Sequence, residues 1–243
     1  MFVCDDRVIT FWTRNGPPAS SPWPESGGPF LGAWRHLVLM VETDEIEVER
    51  RLRAGELACP ACAGVLAPWA HARERTLRGL AGVRRLRPRR GCCTSCGGTH
   101  VLLPCSCLAR RADEVAVIGA AVSAKATGLG HRRIAERLGR PASTVRGWLR
   151  AFAAGAERIR AVFTALLHEL DSVSGPLPPA GSVFADAVGA IGVSASAARR
   201  RLGAVVGGWS PWQLAAAVSG GRLLCLCGQV GAANTSWPWA AEP

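Results

Sequence analysis

Two cysteine pairs carry the clearest chemistry in the chain, Cys59-Pro-Ala-Cys62 and Cys93-Thr-Ser-Cys96. A Cys-x-x-Cys turn aims two thiolates at one ion, and two such turns complete a tetrahedron. Their separation, about thirty residues, is that of the paired knuckles of a zinc ribbon. Pro60 stiffens the first turn and Gly97 follows the second, while the first departs slightly, with Ala63 ahead of Gly64. Structural Zn2+ is therefore the expected cofactor, on Cys59, Cys62, Cys93 and Cys96. Four protein ligands leave no open position for water, so a catalytic ion is not expected. Two alternatives remain, Cys92 in place of Cys93 and His100 in a Cys3His set. Redox use of Cys59 and Cys62 would call for a single pair beside a βαβ pattern. Spacing gives no partner to Cys4, Cys105, Cys107, Cys225 or Cys227.

A second pattern lies at 131–150. Ile134, Ala135 and Leu138 form the buried stripe of one short helix, and Gly139 permits the left-handed conformation that ends it. Pro141 suits the entry of the next helix, where Ser143 and Thr144 can satisfy first-turn N–H groups. Val145, Trp148 and Leu149 bury that helix against the first and against 115–128. Two short helices around a tight Gly-containing turn make a helix-turn-helix, whose second helix enters the major groove of DNA. Arg146 is expected to read bases, and Ser143 and Thr144 belong to the same surface. Arg132, Arg133, Arg140 and Arg150 are expected to hold phosphates. Arg87, Arg89 and Arg90, in the Arg-rich stretch between the cysteine pairs, are expected to add a second phosphate-contacting arm.

These elements divide the 243 residues. Residues 1–42 are rich in Pro and Gly without a helical or strand period, and read as a disordered extension or as sequence preceding a true start at Met40. Residues 43–104 read as a short helix, capped by Thr43 or Asp44, followed by the zinc ribbon at about 56–104. Residues 111–171 hold the helix-turn-helix, with a groove-reading helix at 142–153 and then an amphipathic helix. Residues 182–224 suggest two more helices, near 184–202 and 211–218, and 225–243 read as a loose tail. The expected class is mainly α with a small β ribbon: a homeodomain-like helix-turn-helix followed by further helices. Leu166, Leu167 and Leu170 suggest a homodimer through the 156–171 helix.

Charge and composition narrow the functions. The formal charge of +11 favours a polyanionic partner, but Lys125 is the only lysine and Tyr is absent, a skew that GC-rich coding also produces. The positions of the arginines must therefore carry the case. Asp5, Asp6 and Arg7 stand where a signal peptide would be apolar, and no apolar run is long enough to span a bilayer. A cytoplasmic, nucleoid-associated protein is expected, with no membrane and no small-molecule substrate.

The run Ile134-Ala135-x-x-Leu138-Gly139-x-Pro141-x-Ser143-Thr144-Val145-x-x-Trp148-Leu149 resembles the homeodomain-like helix-turn-helix of transposases, resolvases and related regulators. Joined to the cysteine pairs, Trp69, Leu86-Arg-Pro-Arg-Arg90, Thr99-His100-Val-Leu-Leu-Pro104 and Arg110-Arg-Ala-Asp113, it is similar to a family of uncharacterised bacterial proteins. These resemble the DNA-end-binding half of insertion-sequence transposases. The resemblance implies a fold and a double-stranded DNA partner. The catalytic half is not expected here: after Leu170 the acids are Asp171, Asp186 and Glu242, without an alternating strand-helix pattern around them. A non-enzymatic transcription regulator or mobile-element-derived DNA-recognition protein is the expected function. The alternative is a zinc-ribbon module that docks on a recombinase or polymerase.

Overall fold

The computed structural model describes residues 38–225. The expected extension up to residue 37, most of the C-terminal tail, Cys4 and Cys227 lie outside them. In chain order the elements are β1 (Val38–Val41), α1 (Glu45–Arg53), β2 (Leu66–His71), β3 (Arg75–Arg78), β4 (Val83–Leu86), β5 (Arg89–Cys93) and β6 (Thr99–Pro104). The helices α2 (Val115–Ala126), α3 (His131–Leu138), α4 (Ala142–Leu170), α5 (Val183–Arg201), α6 (Gly203–Val206) and α7 (Pro211–Val218) follow.

Four strands form a mixed sheet in the order β1-β6-β5-β2, with β1 parallel to β6 and the other pairs antiparallel; β3 and β4 make a separate hairpin. The sheet separates two cores. Leu39, Val41, Leu66, Cys93 and Leu102 turn to one side, against Val48 and Leu52 of α1. Met40 and Leu103 turn to the other, into the main core shared with the helices. Asp44 caps α1, its Oδ1 accepting from the amides of Ile46 at 2.9 Å and Glu47 at 3.4 Å.

β1 lies within the stretch 1–42 that was expected to be an extension, and it includes Met40. Val38 and Leu39 pair with Val101 and Leu102, and Met40 is buried, so a chain beginning at Met40 would lose half the strand. The run Val38-Leu-Met-Val41 lacks polar alternation because both faces of the sheet are covered there.

The helical part is built on α4, which is continuous over 29 residues and joins what the sequence divides into a short helix and an amphipathic one. Its buried face runs from Val145 and Trp148 through Phe152, Ile159 and Phe163 to Leu170. α5 lies along it with small buried residues, Ala187, Ala190, Ala195 and Ala198, that permit close approach, and Ser194 Oγ donates to the Phe163 carbonyl at 2.6 Å. This packing removes the expected homodimer surface: Leu166, Leu167 and Leu170 are 4, 0 and 8% exposed because α5 covers them within one chain. α7, with a Ser210–Gln213 capping box, docks Trp212 onto α2 at Gly119, where a Cβ would lie 2.2 Å from the indole. None of the described helices is long and apolar enough to cross a membrane.

Candidate metal centre and nucleic-acid interface

The first knuckle lies between α1 and β2, and the second spans the end of β5 and the turn to β6. Both are built by the same backbone bonds. The amide of Cys59 donates to the Gly64 carbonyl at 2.7 Å, and that of Cys93 to the Gly98 carbonyl at 2.8 Å. The amides of Ala63 and Gly97 return to the carbonyls of Cys59 and Cys93 at 2.9 and 3.0 Å. The amides of Ala61 and Ser95 each point at a cysteine sulfur, 3.4 Å away. Ala63 takes the left-handed conformation, φ 58°, that Gly97 adopts freely at φ 69°. The departure seen in the first turn is therefore accommodated with strain rather than by another geometry.

The sulfurs of Cys59, Cys62, Cys93 and Cys96 lie within 4.8 Å of one another, a set that could hold a metal ion. Cys59 and Cys96 Sγ are 3.8 Å apart, and Cys62 and Cys93 Sγ 3.5 Å. A Zn–S bond of about 2.3 Å implies tetrahedral edges of about 3.8 Å, so the spacing fits that ion. Amides of Cys96 and Ser95 pull the Cys93 thiol down to about 6 against the effect of burial, while Cys62, against the pull of the Gly64 amide, is pushed up to about 12 by its hydrogen bonds to Cys93 and Cys96, so the cluster favours one thiolate at a time. Burial raises Cys59 instead. Of the two alternative ligands, Cys92 Sγ turns to the Gly97 carbonyl at 3.6 Å, whereas buried His100 borders the cluster with Nε2 3.3 Å from Cys59 Sγ. Cys59 and Cys93 also belong to the core beneath α1, which ties the cluster to the sheet.

Cys105 and Cys107 are core residues. Burial pushes the Cys105 thiol up to about 12 and raises that of Cys107, so both pack as small apolar side chains. Cys225 is partly exposed and stands apart from the cluster.

The helix-turn-helix is assembled from α2, α3 and α4. Gly139 ends α3 at φ 59°, and the Arg140 amide closes onto the Ala135 carbonyl at 3.0 Å. Ile134, Ala135, Val145, Trp148 and Leu149 are buried between the helices. Ser143 and Thr144 do not cap α4. Pro141 holds the cap position without a side-chain bond, because the helix begins at Ala142 and both hydroxyls already lie inside its first turn.

The arginines fall into two sets. In the first, guanidinium groups bind protein. Asp113, 2% exposed, receives Arg78 at 2.6 Å and Arg140 at 2.7 Å. Arg140 also donates to the carbonyls of Leu138, Gly139 and Gly79. Arg84 reaches Glu114 at 2.6 Å and Ser106 at 2.9 Å, and Arg75 reaches the Arg111 carbonyl at 2.7 Å. The β3–β4 hairpin is thereby bolted to the entry of α2 and to the turn before α4. Arg89 pairs with Glu49 at 2.7 Å and donates to the Ala70 carbonyl, and Arg90 donates to Thr99 Oγ1 at 2.8 Å. Arg89, Arg90 and Arg140, expected as DNA contacts, are thus engaged internally, and the acids that hold Arg89 and Arg140, Glu49 and Asp113, lie far away in sequence.

The second set faces solvent. Arg132, Arg133, Arg146, Arg150 and Arg87 are exposed and form no hydrogen bond or ion pair among the described residues. Ser143 is exposed beside them and Thr144 is half-buried. Arg137 joins this set; the sequence reading passed over it, although it follows Arg133 by one helical turn. Ser143, Arg146, Gly147 and Arg150 recur at three- and four-residue steps and so form one exposed stripe on α4. At Gly147 a Cβ would meet nothing within 4 Å.

A family model described as a homeodomain-like domain matches residues 111–160, which covers α2, α3 and the first part of α4. None of the curated proteins and none of the solved structures matches the chain.

Proposed function

We propose, from the homeodomain-like match over residues 111–160, that the chain binds double-stranded DNA through α3 and the first turns of α4, with a zinc-ribbon module as the support of that surface. The observation that carries the reading is the exposed stripe Ser143–Arg146–Gly147–Arg150, flanked by Arg132, Arg133 and Arg137, none of them engaged by described protein groups. Arginines kept free of acids are available to phosphates and base edges. In this reading α4 enters the major groove, Arg146 takes the bidentate guanine contact, and Arg132, Arg133 and Arg150 bind the backbone.

Cys59, Cys62, Cys93 and Cys96 would hold structural Zn2+, which supplies cross-linking of the two knuckles and no reaction. The role is recognition without catalysis, as a transcription regulator or a mobile-element-derived protein in the bacterial cytoplasm. Selection of bound duplexes from a random pool, followed by titration at several salt concentrations, tests it. The parent should enrich a defined site and lose affinity steeply with salt. Arg146→Glu should weaken binding and change the enriched site; enrichment identical to the parent would overturn the assignment of α4.

A further inference from the structure

The far end of the sheet from the cysteine cluster carries an exposed feature that the duplex-binding surface does not use. β2 is an edge strand, and its register against β5 shifts between Pro68 and His71. Trp69 lies in that bulge and is 64% exposed. Pro68 has no N–H and the bulge interrupts pairing, so this edge is poorly suited to accept another strand. A partner would meet side chains instead.

Those side chains are cationic. The Ala72 amide donates to the Pro88 carbonyl at 2.7 Å, which sets the β2–β3 and β4–β5 loops side by side. Arg73 and Arg87 adjoin that bond, are exposed, and have no hydrogen bond or ion pair among the described residues. Arg85 and Glu74 pair at 3.1 Å, so the acid of this end is neutralised and the free charge is positive. Trp69 precedes Arg73 by four residues on the strand that leads into these loops, and an exposed indole on the same end of the sheet as unengaged guanidinium groups matches a polyanion with accessible π-faces. In a duplex the π-faces are stacked away, whereas an unpaired strand displays them.

We infer that Trp69, with Arg73 and Arg87, forms a second nucleic-acid site that binds single-stranded DNA. Trp69 stacks on a base and the two arginines hold neighbouring phosphates. The site is separate from the α4 stripe, so its failure and the failure of duplex recognition are distinguishable.

The test uses the full metal-loaded chain and fluorescence anisotropy, with a labelled twenty-nucleotide oligo-dT and a labelled random duplex as probes. Trp69→Ala should lower oligo-dT affinity at least about tenfold and leave duplex affinity unchanged, while Trp69→Phe retains most binding. Arg73→Glu with Arg87→Glu should weaken oligo-dT in the same way, and Arg146→Glu should weaken the duplex alone. Because Trp69 is exposed, thermal melting of Trp69→Ala should superimpose on the parent. Oligo-dT binding indifferent to Trp69→Ala would overturn the inference. So would equal losses on both probes, or a Trp69-dependent affinity for polyglutamate that exceeds that for oligo-dT.

Discussion

The arginines of the β region and those of the helix-turn-helix look alike in sequence but do different work. Between the cysteine pairs, Arg78, Arg84 and Arg89 each meet a carboxylate contributed by a distant segment. On α3 and α4, Arg132, Arg133, Arg146 and Arg150 meet none among the described residues. A basic cluster therefore signals nucleic acid only after its internal partners are subtracted. What remains on the helices is organised at helical spacing, and what is subtracted fastens the hairpin to the helices through Asp113 and Glu114 and the sheet to α1 through Glu49.

The strongest way to break this comparison is to remove the foundation of the β half. If the four cysteines hold zinc, a chelator of high affinity should abolish cooperative thermal unfolding of the sheet, since the cluster shares its core with Leu52, Leu66 and Leu102. Circular dichroism and metal analysis on one preparation would record it. The helices, which supply most of the main core, should retain most of their signal. An unchanged melting curve after complete metal loss would remove zinc from the account of stability.

Next in size is Asp113→Ala. It leaves two guanidinium groups facing each other without their carboxylate, one of them on Arg140, whose side chain is only 16% exposed. Breaking a buried pair costs about 3–5 kcal/mol, and the 42% exposure of the Arg78 side chain argues for the lower end. Urea unfolding would measure the loss. Asp113→Ala combined with Arg78→Leu should recover part of it, because one unpaired charge is then gone. A loss below about 1 kcal/mol would mean that the hairpin is not fastened through this residue.

How much of this was legible follows from the range of each signal. The four cysteines and the Gly139 turn were readable because their geometry is set within a few residues. The ion pairs to Asp113, Glu114 and Glu49 join residues about 30–40 apart, and local patterning carries no trace of them. β1 escaped for a related reason: its partner β6 lies some sixty residues downstream, and burial on both faces erased the alternation that marks a strand. Leu166, Leu167 and Leu170 showed correctly that a face is buried, but periodicity cannot say whether the cover is α5 or a second chain. Gly119 gave no signal, since only the indole of Trp212 above it explains the missing side chain.

Salt titration sharpens the comparison at a smaller scale. Each phosphate contact contributes about 0.9 to the slope of log affinity against log salt. Arg132→Ala with Arg133→Ala should therefore lower that slope by about 2 and leave stability within about 0.5 kcal/mol of the parent. Arg89→Ala should do the reverse, destabilising the sheet edge with no change in slope. If the two variants exchanged these behaviours, the division between fastening and recognising arginines would be wrong.

Gly147 offers the finest test. It lies inside α4, where glycine costs roughly 0.5–1 kcal/mol relative to alanine, and nothing lies within 4 Å of the position a Cβ would take. Packing thus supplies no reason for it. On the exposed stripe beside Arg146, however, the absent side chain would let the helix approach a base edge or phosphate closely if α4 enters the groove as proposed. Gly147→Ala should therefore raise the stability of the chain by about 0.5–1 kcal/mol and weaken duplex binding in the same preparation. Opposite signs in the two measurements would show that α4 gives up helix stability for contact with DNA. A stabilised variant that binds as well as the parent would instead make the glycine incidental, and would move the closest approach to DNA elsewhere on the stripe.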